Sequence, residues 1–123
     1  MNLNHLHLHV RSRDASQRFY ETHFGFSEWT THGDILFLRD EAGLDLALAP
    51  AADAGEPPGW FHFGFRLPRA AEVEQLHRRL AGEGVRMRGP MIQDVDLVSF
   101  RCFDPDGYGI EVYWEPEPAV GAA

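Results

Sequence analysis

Two hydrophobic periods alternate along this chain. Over Asn4-His5-Leu6-His7-Leu8-His9-Val10, polar and aliphatic residues change places at every step, which is the period of a strand. A strand over about Leu3 to Val10 therefore carries His5, His7 and His9 on one face and Leu6, Leu8 and Val10 on the other. The period then lengthens. Phe19, Tyr20 and Phe24 recur at helical spacing, predicting a helix from Ala15 to His23 with Asp14 as its N-cap and Gly25 just beyond its end. Three short strands are predicted next: Phe26 to Thr31, Ile35 to Arg39 and Leu44 to Ala49. Gly33-Asp34 and Ala42-Gly43 supply the turns between them. The last of these alternates again, Leu44, Leu46 and Leu48 against Asp45, Ala47 and Ala49.

Residues 50–59 are rich in Ala, Pro and Gly and read as a connector. The pattern then starts over. Trp60 to Leu67 alternates, with Phe61, Phe63, Phe65 and Leu67 on one face and Trp60, His62, Gly64 and Arg66 on the other. Pro68 leads into a helix over about Ala70 to Ala81 with Val73, Leu76, His77 and Leu80 as its apolar stripe. Gly82 and Gly84 stop it. Val85 to Met87, Val98 to Phe103 and Gly109 to Trp114 are predicted strands, and Asp104-Pro105-Asp106-Gly107 makes the turn before the last. Glu115 to Ala123 has no period and reads as a frayed tail. The chain is thus strand, helix, three strands, twice over. Neither half could bury its sheet alone, so the expectation is a single domain over 1–116, built from modules at about 1–50 and 60–116, with 117–123 as tail.

Composition narrows the chemistry. A length of 123 residues suits one domain, and 44% hydrophobic residues suit a globular core. The net charge of −8 argues against a nucleic-acid partner. All eleven basic residues are Arg, so a Schiff-base lysine and a phosphate-loop lysine are excluded. Cys102 is the only cysteine, which excludes an intrachain disulfide and fits a cytoplasmic, reducing location. No signal peptide and no membrane span are expected, because no basic segment precedes an apolar run at the start and no apolar run approaches about 20 residues.

Strand parity selects a constellation. In Gly109 to Trp114, the apolar Ile110, Val112 and Trp114 suit a helix-packed face, which leaves Glu111 and Tyr113 on the other. A carboxylate pointing into that packed face would be costly. His5, His62 and Glu111 can therefore face one way from three separate strands. Two imidazoles and a carboxylate form a facial triad with open coordination positions. Arg66, Arg101, Tyr113 and Trp60 share the same predicted face, and an Arg there could hold a carboxylate or enolate bidentately. His7 and His9 could serve as general acid or base, or simply line a cavity. Cys102 is expected to pack against the helices, and Asp104 and Asp106 to act as turn residues.

Four stretches resemble the vicinal oxygen chelate superfamily, which includes glyoxalase I, extradiol dioxygenases, fosfomycin-resistance transferases and bleomycin-resistance proteins. They are Leu3-Asn4-His5-Leu6, the pair Phe19-Tyr20 with Phe24-Gly25-Phe26, Phe61-His62-Phe63-Gly64-Phe65, and Asp104-Pro105-Asp106-Gly107 running on through Ile110-Glu111-Val112. The resemblance implies an α+β fold of two βαβββ modules forming a half-open barrel. It places the metal positions on His5, His62 and Glu111, the residues that parity also selects. Glyoxalase I has a further Glu ligand at the end of its first module; in Leu44 to Leu48 of this chain the only acidic residue is Asp45. The ending Ile110 to Trp114 looks most like the dioxygenases. The expected function is a metal-dependent enzyme acting on a small substrate with vicinal oxygens, dioxygenase-like first and a lyase or isomerase second. Fe(II) or Mn(II) is the expected metal, with Zn or Ni as further possibilities. His7, His9 and Tyr113 are the catalytic candidates, and Trp60, Arg66 and Arg101 the substrate-binding ones. A homodimer is implied by resemblance. The competing expectation is a metal-free protein of the bleomycin-resistance type, sequestering a cationic small molecule.

Overall fold

In a computed structural model, which describes residues 1–118, the chain divides into two compact units, one over 1–57 and one beginning at Pro58. The break falls in the Ala/Pro/Gly connector. Unit 1 contains β1 (His5–Val10), α1 (Arg13–His23), β2 (Ser27–His32), β3 (Ile35–Arg39) and β4 (Asp45–Pro50). Unit 2 contains β5 (His62–Arg66), α2 (Ala70–Gly82), β6 (Ile92–Gln93), β7 (Val98–Phe103) and β8 (Gly109–Trp114). The strand orders are β1-β4-β3-β2 and β5-β8-β7-β6. In each sheet the first strand runs parallel to the last and the remaining pairs are antiparallel. Both units are therefore βαβββ modules of one topology, and the α+β expectation is met.

Each unit buries one sheet face against its own helix. In unit 1, Leu8, Val10, Leu36, Leu38, Leu46 and Leu48 are buried together with Tyr20 of α1. In unit 2, Val98, Phe100, Cys102, Ile110 and Val112 are buried with Val73 and Leu80 of α2. His77 of α2 adds a ring contact to Phe100 at 5.1 Å. The opposite face of each sheet is open. His5, His7 and His9 are exposed on β1, and His62, Gly64 and Arg66 on β5. The period-two pattern set these faces, since a slip of one residue would bury the histidines instead.

Several boundaries differ from expectation, each for a physical reason. Ser12, not Asp14, caps α1: its Oγ accepts from the Ala15 backbone N–H at 3.2 Å. Asp14 lies inside the first turn, where a negative charge suits the helix dipole. The second module's first strand begins at His62 rather than Trp60, because Trp60 lies in a turn. The expected strand at Val85 to Met87 is reduced to one bridge, Met87 to Cys102, and a two-residue strand at Ile92–Gln93 was not foreseen. Both belong to one interrupted edge. Arg88 N–H bonds to Arg101 O, Gly89 then takes φ +70°, and Pro90 has no N–H to offer, so pairing with β7 lapses before resuming at Ile92. The tail expected from Glu115 has no regular structure through residue 118, and its last residues lie outside the described part.

Candidate functional site

The open face of unit 2 brings two of the three expected metal donors together. β5 and β8 run side by side, with His62 paired to Gly109 and Gly64 to Glu111. His62 and Glu111 thus project from one face of adjacent strands, offset by two residues, each with a glycine across from it. The glycine at 64 is required. A Cβ there would lie 2.8 Å from the Glu111 backbone O and 3.4 Å from its Cβ, so any side chain would displace the strand that carries the carboxylate.

Hydrogen bonds orient both donors. His62 Nδ1 lies 3.2 Å from the Trp60 carbonyl O. A carbonyl only accepts, so Nδ1 carries the hydrogen, and the neutral ring then has its lone pair on Nε2, the arrangement that metal-binding imidazoles use. Glu111 Oε2 accepts from Ser99 Oγ at 3.0 Å and faces Arg101 Nε at 3.6 Å. Its Oε1 has no protein partner among the described residues. On β1 of unit 1, His5 Nδ1 lies 3.1 Å from Asn4 Oδ1, which likewise leaves Nε2 as the acceptor nitrogen. No group of three or more His, Cys, Asp or Glu side chains gathers among the described residues.

The carboxylate opens onto a concavity of about 440 Å³ lined by Arg88, Gly89, Pro90, Ile92, Ser99, Phe100, Arg101 and Glu111. It exists because the edge strand lifts away at Gly89-Pro90, and its size suits a small molecule. Tyr113 is two residues beyond Glu111 on the same face, and its hydroxyl has no protein partner among the described residues.

The other predicted residues have different surroundings. Trp60 is 78% exposed. Arg66 uses its guanidinium on Glu115 O at 3.0 Å, Glu115 Oε1 at 3.4 Å and Glu117 Oε1 at 3.3 Å. His7 and His9 meet edge to face with ring centroids 5.4 Å apart. Asp45 is held by Arg39 at 2.6 and 3.2 Å. Those hydrogen bonds hold the Asp45 carboxyl below its ordinary pKa against the opposing effect of burial, with the Arg39 and His5 charges adding to them. Cys102 packs in the core, where burial foremost, with the nearby Asp104 charge, pushes its thiol up to about 12. Asp104 Oδ1 accepts from the Asp106 and Tyr108 backbone N–H groups, the turn role expected of it.

A family model for the Glyoxalase/Bleomycin resistance protein/Dioxygenase superfamily matches residues 2–112. The chain belongs to that superfamily. No curated protein matches it. Among solved structures, a possible glyoxalase from Bacillus cereus is 29% identical, with a TM-score of 0.78, over 91% of this chain and 97% of that one. A fosfomycin resistance protein from Listeria monocytogenes has a TM-score of 0.81 at 21% identity, over 100% of this chain and 98% of that one. A lactoylglutathione lyase from Agrobacterium tumefaciens has a TM-score of 0.73 at 23% identity, over 92% of each chain. The last two likenesses concern the fold. Superfamily members bind small-molecule substrates, typically use divalent metals and commonly form dimers. Among the described residues no helix is long and apolar enough to cross a membrane.

Two polar side chains of this superfamily member's concavity, Ser99 and Arg88, are not singled out by the sequence. Serine in a strand has many uses, so Ser99 carries no signal of its own in the sequence. Arg88 lies in a stretch that loses its strand pairing, so no parity placed it. The dipeptide Gly89-Pro90 was the available signal, since it interrupts an edge strand on chemical grounds alone.

Proposed function

We propose that this protein is a metal-dependent enzyme that binds a small substrate through two neighbouring oxygens. The observation that carries this reading is the His62–Glu111 pair: one imidazole Nε2 and one carboxylate Oε1, both without a partner among the described residues and side by side on one sheet face. The family resemblance adds His5 as the third donor, its Nδ1 likewise facing an oxygen acceptor. Imidazole nitrogen with carboxylate oxygen suits Fe(II) and Mn(II) first, and Zn or Ni as well. A bound divalent ion would supply Lewis acidity toward an oxyanion or enolate. The chain's own residues do the rest. The Trp60 carbonyl fixes the His62 tautomer, the Ser99 hydroxyl holds the Glu111 carboxylate with Arg101 as a nearby countercharge, and Tyr113 presents a hydroxyl as proton donor or acceptor on the same face. His7 and His9 are the further acid/base candidates. Trp60, Arg66 and Arg101 are the substrate-side residues, with Arg66 first having to leave its acidic partners.

Oxygenolytic cleavage of a catechol-type diol is the leading reaction. A glyoxalase-like lyase is second, because its additional first-module carboxylate has only Asp45 to stand in, and Arg39 already holds that group. The metal-free reading, a binding protein that sequesters a cationic aromatic, draws on Arg101 standing 3.6 Å from Glu111 and on the exposed Trp60. We place the protein in the cytoplasm and as a homodimer. Elemental analysis of untagged protein, followed by oxygen uptake with catechols after Fe(II) loading, tests the proposal. Stoichiometric metal with diol-dependent oxygen uptake supports it. Absence of metal with tight binding of a cationic aromatic overturns it in favour of the sequestering protein.

A further inference from the structure

The concavity of unit 2 carries information about what enters it. Its charged lining residues are Arg88, Arg101 and Glu111. Two guanidiniums against one carboxylate make the cleft locally positive in a chain whose net charge is −8. Both arginines keep donors in hand. Arg101 approaches Glu111 only through Nε, at 3.6 Å, longer than a hydrogen bond, and its two Nη groups have no acceptor among the described residues. Arg88 gives one Nη to the Gly59 carbonyl at 2.8 Å, which anchors the side chain, and its other Nη and Nε have no acceptor there. The backbones of the two residues are joined by the Arg88 N–H to Arg101 O bond of 2.8 Å. The two side chains therefore start from neighbouring points on the rim of one cleft.

A planar guanidinium fork with unused donors matches a planar carboxylate. Resting on the reading of Glu111 as a metal donor, we propose that the substrate is an anion: a vicinal-oxygen compound with a carboxylate, which Arg101 and Arg88 receive while the neighbouring oxygens point toward Glu111. The edge-strand break at Gly89-Pro90 is then the specificity device, since it both opens the cleft and delivers Arg88 to its rim.

The probes are 3,4-dihydroxybenzoate and its methyl ester, which share the diol and differ in charge. Binding of each is measured by calorimetry to Mn(II)-treated protein and, in parallel, to metal-stripped protein. The acid is expected to bind at least about tenfold tighter than the ester, equivalent to about 1.4 kcal/mol. Arg101→Gln and, separately, Arg88→Gln should each bring the acid down toward the ester, while Arg78→Gln on the exposed side of α2 changes neither. Circular dichroism confirms that each variant is folded, and either arginine variant suffices if the other fails to fold. Equal binding of acid and ester, a preference that survives both substitutions, or no binding of the acid up to millimolar concentration overturns the assignment. A failure of the metal reading has a different signature. The acid preference and its loss in Arg101→Gln would then be found equally in stripped and Mn(II)-treated protein, with no metal retained.

Discussion

The two units have one topology and one register, yet their open faces differ position by position. His5 pairs with Asp45 and His62 with Gly109, so each first strand presents a histidine at the same place. Two residues on, His7 pairs with Ala47 in unit 1, whereas Gly64 pairs with Glu111 in unit 2. Large and small have changed strands, so two residues beyond the histidine a carboxylate stands in unit 2 only, whereas the acid on β4 of unit 1, Asp45, lies beside the histidine itself. Opposite Glu111 stands Arg101, where unit 1 has Phe37 opposite Ala47. The edges differ as well. β2 runs unbroken along β3 through six residues with a single register shift, whereas the corresponding edge of unit 2 parts at Gly89-Pro90 and leaves a cleft. Duplicated architecture thus fixes where side chains stand without fixing what they do. Unit 1 has three imidazoles along β1, an acid held by Arg39 and a closed edge, and unit 2 an imidazole next to Glu111, two arginines and an opening.

The helix-packed faces should be equivalent, so Leu46→Ala and Ile110→Ala, which occupy the same register and are each almost fully buried, should each cost about 2–5 kcal/mol. Urea unfolding checks this, and a near-neutral result for either would break the equivalence. The open faces should not be equivalent. Gly64→Ala forces a Cβ to within 2.8 Å of the Glu111 backbone O and should cost about 1–3 kcal/mol by overpacking. His7→Ala, at the same register in unit 1, removes an exposed side chain and should fall within about 0.5 kcal/mol of wild type.

The smallest effect concerns pH. The Arg39 hydrogen bonds favour ionised Asp45 and so lower its folded-state pKa. The contribution is therefore present above the ordinary Asp value of about 3.9 and is lost as pH falls through the lower folded value. Asp45→Asn should be slightly less stable than wild type near neutrality and indistinguishable from it in strong acid. Both partners keep solvent contact, at 39% and 26% side-chain exposure, which holds the effect down. Thermal melts at a series of pH values read it out.

Much of this was legible in the sequence because period two is a hard constraint. The sequence pattern places Ile35–Arg39, Val98–Phe103 and Gly109–Trp114 residue for residue, and in Ile35–Arg39 burial alternates at every step. The facing of His62 and Glu111 followed from the same parity. What parity could not supply was the state of each donor. That Arg66 is engaged by Glu115 and Glu117, that Asp45 belongs to Arg39, and that Ser99 holds Glu111 all depend on contacts between residues distant in sequence. The cleft was missed for a related reason. It arises from a backbone N–H that Pro90 lacks, in a stretch read as a regular strand three residues earlier.

Mn(II) titration followed by electron paramagnetic resonance tests most directly whether His62 and Glu111 are metal donors. Wild-type protein should take up one Mn(II) per chain, and His62→Ala and Glu111→Gln should each weaken that uptake by at least about tenfold, the lower end of what loss of even a supporting group costs. Unchanged uptake in both variants, or no uptake by the wild type, would contradict that role.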